Sequence, residues 1–181
     1  MNLLYKQYAL ISGATFLCGL ILCAMHYEWI VFCNPLQTTH QNALGNTIKK
    51  EVHLFFWLHN KWQKENHTIL WANETAQNIT LLLTALLNVL DDEQLLHKKI
   101  RIESVALSPS GHQAYISFDR NPINKNAAIY DKWHLIESIL KTMRENKIEI
   151  QDVHFLVYHE PLNDPHLDFN QPWPLRGFLE Q

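Results

Sequence analysis

Eleven histidines and a scatter of carboxylates are the residues of this 181-residue chain with most chemistry to offer. A zinc or similar centre gathers three or four such ligands around one ion. The spacing here does not favour that. The chain has no HExxH, no His-x-His and no close cysteine pair of the ligand type. His53 and His59 share one face of an extended segment, but at the rise of a strand they stand roughly 20 Å apart. His154 and His159 project to opposite faces. The histidines therefore read as solvated or interface groups, whose titration near pH 6.5 can tune assembly. Ser110-Gly111-His112 has the types of a nucleophile and its base, yet Ser and Gly there suit a tight turn. Glu160, Asp164 and Asp168 would do hydrolytic work only if held about 5–10 Å apart in a cleft. They fall in a Pro-rich stretch that reads as solvated. No catalytic, cofactor-binding or metal-ligating residue is assigned, and the chain is expected not to be an enzyme. Asn66, Asn73 and Asn78 open formal glycosylation sequons, and Asn73 has a simpler use as a helix cap.

The elements that position these groups begin with a membrane segment. Gln7 to Tyr27 contains no Asp, Glu, Lys or Arg, and its core reads ALISGATFLCGLILCAM. About 20 apolar residues in a helix span the hydrocarbon layer. A cleaved signal peptide competes, but Leu22-Cys23-Ala24 is a poor cleavage site. Lys6 before the run and Glu28 after it place the N-terminus in the cytoplasm by the positive-inside bias. The expectation is a single-pass protein of the inner cell membrane with its C-terminal domain outside the cytoplasm. All three cysteines, Cys18, Cys23 and Cys33, lie in or beside this run, so the exported part needs an apolar core instead of disulfides. A net charge of −3 gives no basic field for nucleic acid.

Residues 1–33 are thus read as N-terminal tail and signal anchor, 34–48 as a linker, 49–173 as one domain and 174–181 as a tail. Within the domain, Glu51 to Leu58 (EVHLFFWL) reads as a strand, with Ile69-Leu70-Trp71 as a short extended piece. Ala76, Ile79, Leu82, Leu83, Leu86, Leu87 and Leu90 recur at helical spacing, predicting a helix from Asn73 to Leu90 capped by Asn73. Ile100–Leu107 and His112–Phe118 flank Ser108-Pro109-Ser110-Gly111, the pattern of a β-hairpin. A second helix runs from Ala127 to Asn146, with Ile129, Trp133, Ile136, Leu140 and Met143 inward, Asn146 as C-cap and Glu137–Lys141 paired on the wet side. Val153 to Tyr158 is the last strand. The class is α+β: a transmembrane helix, then a βαββαβ domain with both helices on one sheet face.

These segments resemble the GerMN domain, the sporulation and spore-germination module of bacterial envelope proteins, over about Lys50 to Trp173. The resemblance rests on EVHLFFWL, AQNITLLLTALLNVL, the hairpin IRIESVALSPSGHQAYISFD ending in the acidic Asp119, and the closing VHFLVYHE and HLDFNQPW. It implies a binding or assembly module that follows a membrane anchor, with no reaction attached. Its partners would be other envelope proteins or a second copy. A peptidoglycan-binding domain, with Trp57, Trp62 and Trp71 stacking on sugars, is the alternative, and an anchored hydrolase is disfavoured. One face of the opening strand, either His53, Phe55, Trp57 and His59 or Val52, Leu54 and Phe56, is left without helix cover. Partner binding through His53, Phe55, Trp57 and His59, or cover by the tail with Phe169, Trp173 and Phe178, are both open.

Overall fold

The structure is a computed structural model that describes residues 47–177. The expected anchor, most of the linker and Phe178 lie outside the described residues. Among the described residues no helix is long and apolar enough to cross a membrane.

The described chain opens as two long strands, β1 (Ile48–Leu58) and β2 (Lys61–Trp71), paired antiparallel. His59 and Asn60 form the connection with φ of 51° and 62°. Two positive φ values in a two-residue loop match the twist of a hairpin. Helix α1 (Thr75–Asp92) follows, then β3 (Ile102–Leu107), β4 (Gln113–Phe118), α2 (Ile129–Glu145) and β5 (Asp152–Val157). Short strands β6 (Glu160–Pro161) and β7 (Trp173–Pro174) both pair with β5. β3 and β4 form the hairpin expected around Gly111, whose φ of +75° suits glycine. β4 and β5 are parallel, with α2 as the crossover.

The α+β class holds, but a single sheet does not. β1 and β2 make a two-stranded sheet of their own, and β3-β4-β5-β6 with β7 make the second. The reason is visible at the free edge of β1. Asn146 accepts from the His53 N–H at 3.0 Å and donates to its carbonyl at 2.6 Å. Thr142 accepts from the Phe55 N–H at 2.9 Å and donates back to its carbonyl at 3.3 Å. Side chains of α2 thus occupy the edge where another strand would add, which is one way proteins close an edge.

Val52, Leu54 and Phe56 point into the core with Ile79, Leu82, Leu83, Leu86, Ile116, Phe118, Ile136, Leu140 and Phe155. The α1 stripe is buried as its spacing predicts. Three local expectations are corrected. Asn73 makes no cap, because α1 begins at Thr75 without a side-chain cap bond. Instead Asn78 reaches back, bonding both the N–H and the carbonyl of Ala72 at 2.7 and 2.8 Å. Ile129 is 49% exposed, since it sits on the first turn of α2 beyond the packed stripe. Glu137 is buried and paired with Arg144 at 2.9 Å, so it is not on the wet side. Asn146 does end α2. Lys147 N–H to Arg144 and Ile148 N–H to Met143 complete a left-handed cap with Lys147 at φ 60°.

The tail is structural. Phe169 and Trp173 are buried against Phe155, and Trp173 meets Trp133 at 5.2 Å. Arg144 also donates to the Leu175 carbonyl at 2.9 Å, so packing runs on past residue 173.

Candidate functional site

A cleft of about 440 Å³ lies between the end of α1, the 94–97 turn, the 122–127 loop and α2. A cleft of this size is in the range that holds small ligands or a partner's side chain. Its walls are apolar at Leu90, Leu95, Leu96, Ile123 and Leu135, with Asp131, His134 and Trp57 among the other lining groups.

Local chemistry builds each part. At the end of α1, Leu95 N–H bonds the Leu90 carbonyl and Gln94 N–H that of Asp91, with Gln94 at φ 57°. This left-handed cap turns the chain sharply and sets Leu95 and Leu96 on the cleft wall. On α2, Tyr130 and His134 stand one turn apart and meet edge to face at 4.1 Å. Trp57, at the end of β1, lies flat on His134 with centroids 4.1 Å apart and planes 3° apart. Trp62, its cross-strand partner, closes the group at 5.4 Å from Trp57.

His134 is only 6% exposed, and neither ring nitrogen has a hydrogen-bond partner among the described residues. Burial holds its imidazole below the ordinary 6.5, against a smaller upward pull from Asp131. Beside it, Lys132 is anchored. Its Nζ donates to Asp164 Oδ2 at 2.7 Å, to the Lys125 carbonyl at 2.9 Å and to His166 Nδ1 at 3.2 Å. All three ammonium protons are used, so Lys132 is a fastener between α2, the 122–127 loop and the tail.

The groups singled out in the sequence are dispersed. His53 is half-buried with its ring on Asn66 at 2.9 Å. Phe55 is half-buried beneath the Lys141 and Lys64 ammonium groups, at 5.5 and 6.0 Å. Trp57 belongs to the His134 cluster, and His59 is exposed in the β1–β2 turn. Ser110 and His112 sit in the β3–β4 turn, where Ser110 bonds Ser108. Asp164 departs from the solvated reading: its side chain is 0% exposed, while Glu160 and Asp168 lie on the surface. Burial opposes its ionisation, but the hydrogen bond and charge of Lys132 and the N–H groups of His166 and Leu167 prevail and hold it below the usual carboxylate range. Among the described residues no three His, Cys, Asp or Glu gather as a metal site. The sequence barely marks His134. Its signal was an aromatic pair with Tyr130 at i,i+4, one of many such spacings in a helix.

No family model and no curated protein sequence matches the chain. Solved structures similar to it include these two. One is a candidate lipoprotein from Clostridium perfringens, 18% identical, with a TM-score of 0.46 over 74% of this chain and 91% of that one. The other is the tandem GerMN domains of the sporulation protein GerM from Bacillus subtilis, 13% identical, with a TM-score of 0.44 over 71% of this chain and 45% of that one. The second carries the domain that the sequence resembles.

Proposed function

We propose that the chain is a membrane-anchored, non-enzymatic binding or assembly module of the bacterial cell envelope, with its folded domain outside the cytoplasm. The observation that carries this reading is the apolar surface beside the cleft. Leu95, 38% exposed, lines the cleft, and Ile129 and Tyr130, 49% and 52% exposed, sit on the first turn of α2, the helix that supplies the lining residues Asp131, Lys132, His134 and Leu135. Large apolar side chains grouped at the rim of a cleft mark interaction sites. The charge-free run from Gln7 to Tyr27 supports the anchor. A protein partner is favoured over glycan because the tryptophan faces are in use. One face of Trp57 lies on His134, and Lys50 sits 3.5 Å over the Trp71 ring.

A photoreactive residue in place of Tyr130, activated in native membranes, tests the reading. The expected result is a protein adduct of defined mass, absent when the same group replaces exposed Glu160. An adduct that sediments with peptidoglycan favours the glycan alternative. No adduct from position 130 overturns the surface assignment.

A further inference from the structure

His134 is where α2 meets the turn end of the first hairpin. The ring is boxed by Trp57 flat against it, Trp62 edge-on at 5.7 Å and Tyr130 edge-on at 4.1 Å. Three aromatic rings contact it, and neither nitrogen is hydrogen-bonded within the described residues. A neutral imidazole leaves one donor and one acceptor unmet there. An imidazolium presents two charged donors. The Trp57 face would return part of the cost of that charge by cation–π attraction. Burying an unpaired charge costs more than that, so a protonated ring must reach water.

The charges around the ring come from several elements. From α2, Asp131 favours protonation, while Lys132 is tied to Asp164 and His166 of the tail. Lys141, also on α2, stands 5.7 Å over Trp62. The 94–97 turn contributes His97 to the same cleft. From the hairpin, Lys61 adjoins Trp62 in the chain and Lys64 lies over Phe55.

We propose that His134 is an acid-sensitive latch between α2 and the β1–β2 hairpin: neutral, it holds the two together, and protonated, it leaves the Trp57 box and opens that wall of the cleft. Trp57 and His134 both line the cleft, so release adds aromatic surface beside Tyr130 and Ile129. The direction follows from linkage. An opened ring titrates near 6.5 and the boxed ring lower, so the open form takes the proton first. Closure is fully favoured above pH 6.5 and weakens as pH falls toward the boxed value. This device is independent of which partner the surface binds.

Hydrogen exchange of residues 127–138, measured on the full chain in lipid nanodiscs at pH 7.5 and 5.5 and corrected for intrinsic rate, tests it. Protection should drop several-fold at pH 5.5, with about tenfold as the ceiling for one group one unit below 6.5. His134→Phe keeps an aromatic ring but cannot titrate, so its protection should not change with pH. Asp131→Asn removes the charge that props up proton binding by the boxed ring, so its drop in protection at pH 5.5 should be larger than wild type's and closer to that ceiling, which a purely structural role would not do. Equal wild-type protection at both pH values overturns the latch, as does an undiminished pH effect in His134→Phe. Should His134→Phe fail to fold, a pH-dependent drop in Asp131→Asn no larger than in wild type overturns it instead.

Discussion

At the scale of residues, Lys132 and Asp164 show how a surface-looking pair becomes internal. Their side chains are 1% and 0% exposed. A buried ion pair adds little over a well-packed apolar pair, but removing one partner strands the other charge. Asp164→Ala should therefore cost about 3–5 kcal/mol, read from urea unfolding. The double substitution Lys132→Met with Asp164→Leu should cost much less than Asp164→Ala alone. Because the folded Asp164 carboxyl is held low, its contribution is complete above the unfolded value near 3.9 and is lost as pH falls through the folded one. Asp164→Ala should flatten that acid limb of the stability profile. An acid limb identical to wild type would show that the pair is not ionised in the fold.

At the scale of elements, the decisive contact is α2 along the edge of β1. Asn146 satisfies both backbone groups of His53 and also donates to the Thr142 carbonyl at 2.7 Å. Asn146→Ala leaves a half-buried N–H and carbonyl without their partner, so the expected loss is about 1–3 kcal/mol. The His53 amide should exchange faster in step. A substitution without effect on that amide would mean water serves the edge as well as Asn146 does. The helices themselves were legible: their apolar spacing marked both stripes, apart from Ile129. β2 was not. Lys61 to Thr68, KWQKENHT, lacks apolar alternation because most of the strand is exposed, and His59-Asn60 is not the Asn-Gly order that signals a two-residue turn. Tyr158-His159 hides a second such turn for the same reason, with φ of 51° and 66°.

Across the whole molecule, the Pro-rich tail proves to be a wall of the core. Trp173 stacks on Phe169 and touches Phe155, and β7 pairs Trp173 with Val153. Trp173→Ala should destabilise by about 3–5 kcal/mol, as for other large buried aromatics. Lys98→Ala, at an exposed site, should stay within about 0.5 kcal/mol. Equal effects in thermal unfolding would place the tail off the core. The tail carries no periodicity because its anchors come singly, each fitted to a different neighbour: Leu162, Leu167, Phe169, Trp173 and Leu175.

Period and turn chemistry act along the chain, so the sequence alone determined two amphipathic helices, the Gly111 hairpin, a strand at Glu51–Leu58 and an apolar core without disulfides. Burial of polar groups depends on what arrives from elsewhere, and only tertiary structure decided it. Asp164 looks solvated until Lys132 meets it across the fold, 32 residues away. Likewise, His134 is one histidine of eleven until Trp57 and Trp62 close over it from the first hairpin. The split into two sheets follows the same logic, because the side chains that seal β1 lie about ninety residues further along the chain, at separations of 87 and 93.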